Sequence, residues 1–275
     1  MCDMENPIEL TKLKALNIRE TLLRSLTEAG SGHLGGSIDL ADIFSVLYFS
    51  EMRYDTCNPK WNDRDRLILS IGHTAPVLYA TLAEAGFFEK EETMTLRKFR
   101  SRLQGHPSKD FGLPGVETSA GSLGQGLGIS VGISLSAKLD NKDYRTYCIM
   151  GDGELQEGSV WEAAMSASNY KLDNLCAIID RNRLQIDGST EDVMALEPLD
   201  NKWSSFGWNV VVINGHDYNE ILDAFREART AKGKPTVIIA NTIMGKGVKS
   251  IEDNNAWHGK VPAKDQLDDF IKRLY

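Results

Sequence analysis

Tyr144-Arg145-Thr146-Tyr147-Cys148-Ile149-Met150-Gly151-Asp152-Gly153 is a short apolar run that stops in an acidic turn. The run lacks the strict polar–apolar alternation of a half-exposed strand, so it reads as a strand buried on both faces of a parallel sheet. The two glycines leave Asp152 at a point where backbone can approach a ligand closely. Outward from this turn, a helix is expected over about Ser159 to Asn169, then a second buried strand over Leu175 to Asp180. Val210 to Ile213 and Thr236 to Ala240 repeat the strand pattern. The helix between them opens at Asp217 with Glu220 three residues on, a capping-box signature. Upstream, Leu10 to Ala29 carries Leu13, Leu16, Leu23 and Leu26 at helical spacing with Gly30 as its stop. Asp39 to Phe49, Ala75 to Ala85 and Gly124 to Leu139 read as further helices, and Asp265 to Tyr275 as a finished terminal one. Strand–helix–strand order of this kind implies an α/β fold, a parallel β-sheet with helices on both faces. In such sheets ligands bind at the carboxyl ends of the strands.

The composition narrows the function. The chain has 275 residues, long enough for a substantial core, and no repeat or linker divides it, so residues 1–275 are expected to form a single domain. Lys plus Arg number 31 against 39 Asp plus Glu, a net charge of −8, which argues against nucleic acid as a partner. The longest uncharged stretch, Thr118 to Ala137, is diluted by five glycines and several hydroxyls, so no membrane span is expected. Cys2, Cys57, Cys148 and Cys176 show no CxxC spacing, and the start of the chain lacks the order of a secretory signal. A reduced, cytoplasmic protein is the expectation.

Glu154 to Arg181 makes 28 residues between the Gly-Asp-Gly turn and Asn182. Two neighbouring strands would thus deliver a carboxylate and an amide oxygen to one edge of the sheet. That pair suits Mg²⁺, which takes a few protein oxygens and completes its octahedron with phosphate and water. Gly-Asp-Gly alone is an ordinary turn; the preceding strand and the spacing to Asn182 give it meaning. The five histidines, His33, His73, His106, His216 and His258, all adjoin a glycine, which points to functional loops. His216 is read as an ordinary turn histidine beside the capping Asp217.

Gly151-Asp152-Gly153 followed by Asn182 resembles the thiamine diphosphate motif. Ser31-Gly32-His33, Ser70-Ile71-Gly72-His73, Gly105-His106-Pro107, Gly115-Val116-Glu117-Thr118, Gly121-Ser122-Leu123-Gly124-Gln125-Gly126 and Ile186-Asp187-Gly188 are similar, in order, to the N-terminal half of transketolases. The resemblance implies the thiamine diphosphate-binding fold of the diphosphate-binding (PP) type. It implies that Asp152, Asn182 and the main-chain oxygen of Leu184 ligate Mg²⁺ (or Ca²⁺ or Mn²⁺). Gly153 and Asn182 would contact the diphosphate, Ile186 would line the pocket, and Gly121, Ser122 and Leu123 would hold the aminopyrimidine. His33, His73, His106 and His258 would ring the reactive carbon, with His73 and His258 also touching cofactor. Glu157 and Glu162 match glutamates that lie between active sites in relatives. Serine stands at Ser122 where proline is common, and Arg181 stands where the family often has an acidic residue.

The resemblance further implies transfer of a two-carbon ketol unit from a ketose phosphate to an aldose phosphate, as in the pentose phosphate pathway. The glutamate that activates the cofactor belongs to a later domain in transketolases. The expectation is therefore a split enzyme: an N-terminal subunit that works only with a C-terminal, pyrimidine-binding subunit, self-associating into a heterotetramer. Alternatives are another thiamine diphosphate enzyme on the same scaffold, such as a specialised sugar transketolase or a deoxyxylulose-phosphate-synthase-like protein, or a non-catalytic binding subunit. A nucleotide or flavin module is disfavoured, because Gly124, Gly126 and Gly128 do not form GxGxxG and no GxxxxGK[ST] occurs.

Overall fold

The computed structural model describes residues 7–275; Cys2 and the first residues of the chain, on which the signal-sequence reading rests, lie outside them. Seven strands occur among these residues: β1 Arg66–Leu69, β2 Thr146–Gly151, β3 Leu175–Arg181, β4 Leu184–Gln185, β5 Gly188–Ser189, β6 Asn209–Asn214 and β7 Thr236–Asn241. Five of them form a parallel sheet in the order β1-β2-β3-β7-β6, while β4 and β5 form a small antiparallel hairpin. The strand β1 escaped the sequence reading because four residues directly after a charged turn carry almost no periodic signal.

The period-2 alternation of the strands sorts the core into two halves. Leu67, Leu69, Tyr147, Ile149, Ile178 and Ile238 face one layer, which includes residues from the helices Pro7–Ala29, Ala41–Val46, Ala75–Glu84 and Tyr218–Thr230. Ile68, Cys148, Met150, Ala177, Ile179 and Val237 face the other, with residues of Gly126–Leu139, Gly158–Asn169 and Leu199–Ser205. Both faces of β2 and β3 are thus covered, as their unbroken apolar runs require. Cys148 and Cys176 are buried free thiols.

Element ends follow local chemistry. Gly30 ends the first helix in the left-handed region, φ 64°, with its N–H on the Leu26 carbonyl. Asp217 caps the helix Tyr218–Thr230 by accepting from the N–H groups of Asn219 and Glu220. The return half of the capping box is absent, since Glu220 accepts from Asn214 N at 2.7 Å instead. The helix expected over Asp39 to Phe49 is realised as Ala41–Val46 and a wider π-turn Leu47–Glu51, preceded by a separate short helix Gly35–Ile38. That turn places buried Glu51 between the Tyr147 hydroxyl (2.5 Å) and Arg229 (2.8 Å). The terminal helix is shorter than expected, Leu267–Lys272, with Phe270 buried. No helix among the described residues is long and apolar enough to cross a membrane.

Candidate active site

β2 and β3 run in register, Gly151 opposite Asp180, so their carboxyl ends open at the same level. Asp152 follows β2 and is buried. Its Oδ1 accepts from Gly153 N at 2.8 Å, and its Oδ2 accepts from Arg183 N at 2.6 Å and Arg181 Nη1 at 2.9 Å. Asn182 follows β3. Its Nδ2 donates to Asp180 Oδ2 (3.0 Å) and Asp39 Oδ2 (3.3 Å), which fixes the orientation of the amide. Its Oδ1 accepts from Leu184 N at 3.0 Å and retains a second lone pair. Arg183 adopts φ 66°, and this left-handed step curls the chain so that consecutive N–H groups reach Asp152 and Asn182.

Asp152, Gly153, Asn182, Leu184 and Ile186 line one cavity of about 370 Å³ together with His33, His73 and His258. The three imidazoles cluster, with ring centroids 5.1 Å (His33–His73), 5.2 Å (His73–His258) and 5.9 Å (His33–His258) apart. Burial drives their pKa values down, His73 to about 3 and His33 to about 4, and neighbouring rings add to the effect at both. All three are therefore neutral near pH 7, each with one nitrogen to donate and one to accept. The buried Nδ1 atoms of His33 and His258 have no hydrogen-bond partner. Buried polar atoms of that kind mark a place for a polar ligand.

His106 stands apart from this trio. It is exposed, and its ring lies 3.7 Å from where a Cβ on Gly121 would fall. Gly121 and Leu123 line the main cavity, while Ser122 faces an adjoining cleft with Ser70, Gln125 and Ile129. Ile186 sits at the rim, 67% exposed. Glu157 is exposed and lines the cavity. Glu162, also exposed, lies further along the helix Gly158–Asn169. His216 has a structural role that its sequence context did not reveal. Its Nε2 accepts from Ile243 N (2.9 Å), so Nδ1–H donates to buried Asp42 (2.8 Å).

The sequence reading missed three buried carboxylates. Glu154 takes the Ser70 hydroxyl and Gly124 N (2.7 Å) on Oε1, and Gly151 N (3.2 Å) on Oε2. It thereby ties the tip of β1, the 121–126 loop and the acidic turn together. Asp39 and Asp180 flank Asn182, and burial raises the pKa of both. An acidic residue inside an apolar run, as in Leu175–Arg181, was the available signal.

Among the described residues no three His, Cys, Asp or Glu side chains group as metal ligands. A cation here would rest on one carboxylate, one amide oxygen and main chain, a donor set made only of oxygens. That set fits Mg²⁺ or Ca²⁺ carrying phosphate rather than zinc.

A sheet edge with these oxygens beside a histidine-lined cavity suits a phosphate-bearing organic cofactor. The family model for the transketolase, thiamine diphosphate binding domain matches residues 11–274, and the chain belongs to that family. It is 43% identical to one of the subunits of the apulose-4-phosphate transketolase of Phocaeicola vulgatus over 267 residues, 97% of this chain and 94% of that protein. It is 44% identical to the 6-deoxy-6-sulfo-D-fructose transketolase subunit SqwG of Clostridium sp. (strain MSTE9), over 88% of this chain and 87% of that protein. The transketolase structure from Campylobacter jejuni superimposes with a TM-score of 0.89 at 34% identity. That match covers 96% of this chain and 42% of the longer one.

Proposed function

We infer that this chain is the thiamine diphosphate-binding subunit of a two-chain transketolase, acting in the cytoplasm as one domain, 1–275. With a pyrimidine-binding partner it would move a two-carbon ketol unit from a ketose phosphate to an aldose phosphate. The observation that carries this reading is the meeting of Asp152 and Asn182 with three neutral histidines in one cavity. Relatives described as transketolase subunits match it along nearly their whole length, which supports the two-chain arrangement.

Asp152, Asn182 and the main chain of Leu184 would hold Mg²⁺, with Gly153 N–H and the cation taking the diphosphate. Thiamine diphosphate, when bound, supplies the electron sink for breaking the carbon–carbon bond beside a ketose carbonyl. The chain's own residues bind and orient. The unpartnered Nδ1 atoms of His33 and His258 are available to hydroxyls of the donor sugar or to the cofactor, and His73 packs against both rings. His106, beside Gly121 and near enough to His33 and His73 to add to their lowering, would reach the sugar from outside the main cavity. Gly121, Ser122 and Leu123 would offer backbone groups to the aminopyrimidine.

Self-association is the complementary part of this reading. The helix Gly126–Leu139 exposes Gly128, Ile129 and Gly132, and an added Cβ at either glycine would meet nothing within 4 Å. Exposed Met165 and Glu162 lie on the helix Gly158–Asn169, which packs on Gly126–Leu139. This small and apolar surface suits close approach of a second copy, with Glu157 and Glu162 brought between sites in a heterotetramer.

The test is reconstitution with the pyrimidine-binding half of a transketolase, followed by an assay of ketol transfer. Turnover that requires both chains, thiamine diphosphate and Mg²⁺, and that Asp152→Ala abolishes, is expected. Turnover unaffected by Asp152→Ala would overturn the site.

A further inference from the structure

Arg181 is the last residue of β3 and its side chain is 1% exposed. A buried arginine calls for partners for its donors; both Nη atoms find them, while Nε has none. Nη1 donates to Asp152 Oδ2 (2.9 Å) and Thr190 Oγ1 (2.8 Å). Nη2 donates to Glu191 Oε1 (2.8 Å) and Glu197 Oε1 (2.9 Å). One end of the guanidinium thus grips the carboxylate that would meet the cation, and the other grips the segment 189–197. Other ties hold that segment too: Ser189 pairs with Leu184, Leu196 is buried in the core, and Arg183 approaches Glu197 at 3.9 Å. Thr190 N bonds to Arg183 O at 3.0 Å, and Gln156 Nε2 reaches Met194 O at 3.0 Å.

We propose that Arg181 is a positioning residue: it ties Asp152 to the 189–197 segment and, by placing its charge on Asp152, keeps the cation site weak until a diphosphate arrives. The inference rests on Asp152 being the ligand of the cation. Mg²⁺ or Mn²⁺ approaching Asp152 meets a carboxylate already paired with a guanidinium, and two positive charges on one carboxylate repel at short range. A diphosphate brings several negative oxygens and reverses that balance. The same guanidinium holds Glu191 and Glu197, so Asp152 and the 189–197 segment are set relative to one another before any ligand binds.

The measurement is Mn²⁺ affinity of the full chain, read from the free-ion EPR signal, for wild type, Arg181→Met, Arg181→Lys and Asp152→Ala. Arg181→Met should bind Mn²⁺ alone about tenfold more tightly or better, because the opposing charge is gone. Arg181→Lys should stay near wild type. In amide exchange, residues 189–197 should lose protection in Arg181→Met and keep most of it in Arg181→Lys. A purely structural role would weaken Mn²⁺ binding instead. Arg181→Gln, neutral but still hydrogen-bonding, should show the same tightening and serves if the methionine variant does not fold. Equal or weaker Mn²⁺ binding by the neutral variants overturns the proposal while leaving the cation site standing. Wild-type binding that survives Asp152→Ala overturns the cation site and the proposal with it.

Discussion

The Ser70 hydroxyl donates to Glu154 Oε1, joining the tip of β1 to the acidic turn after β2 through a bond buried on both sides. The same carboxylate accepts from Gly124 N and Gly151 N, so Glu154 sets the spacing of three loops at once. Glu154→Gln replaces one accepting oxygen by an amide donor and leaves a buried N–H or hydroxyl unmatched. A loss of about 1–3 kcal/mol in urea unfolding is expected, together with weaker thiamine diphosphate binding. Unchanged values would show that the carboxylate does not organise these loops.

Gly72 and Gly128 make a matched pair. A Cβ on Gly72 would fall 2.8 Å from the Ala120 carbonyl carbon and 2.9 Å from Gly121 N, both backbone atoms. Gly72→Ala should therefore displace the 118–123 loop, lowering the melting temperature and cofactor affinity together. Gly128→Ala meets open space inside a helix and should stabilise the isolated fold by about 0.5–1 kcal/mol. Calorimetric scans of the two variants, recorded at concentrations where the chain is monomeric, should move in opposite directions.

The histidine cluster fixes a pH dependence. The folded chain holds His73 down to about 3 against its ordinary 6.5, mainly through burial. Between these values the unfolded chain binds a proton that the folded chain refuses. Stability is then fully present above about 6.5 and falls as the pH drops toward 3. Melting temperatures measured from pH 4 to 7 should rise with pH, and His73→Gln should flatten part of that slope. A slope identical in the variant would assign it to other groups.

The exposed strip on Gly126–Leu139 makes its own prediction. Gly132→Glu places a bulky charge where a second copy would approach closely. Sedimentation should show a smaller assembly than wild type at the same concentration, with the far-ultraviolet circular dichroism unchanged. An unaltered assembly would place the self-association surface elsewhere.

The parallel sheet was legible because β2 and β3 are buried on both faces and so are written as unbroken apolar runs. The acidic turn was legible because glycines flank it and Asn182 follows β3. β1 was too short to announce itself. Asp39, Asp180 and Glu154 were missed because a buried carboxylate looks like any other acid until its donors are known, and those come from Ser70, Thr242 and Asn182, far away in the chain. Arg181 illustrates the same limit. Its charge was legible, but three of its four partners depend on how the segment after the β4–β5 hairpin folds back, and the fourth, Asp152, comes from the neighbouring strand end. The switch from the α-helix Ala41–Val46 to the π-turn Leu47–Glu51 reflects tertiary demand, since residues on either side of it serve different partners: Asp42 for Arg19 and His216, Glu51 for Tyr147 and Arg229.

The most direct measurement is a crystal of the chain, together with its pyrimidine-binding partner, grown with Mn²⁺ and thiamine diphosphate and recorded at the manganese absorption edge. The anomalous peak should lie between Asp152 and Asn182, within bonding distance of a main-chain oxygen at Leu184 and of the diphosphate. A peak at any other site, with the space between those two side chains filled only by water, would contradict the assignment.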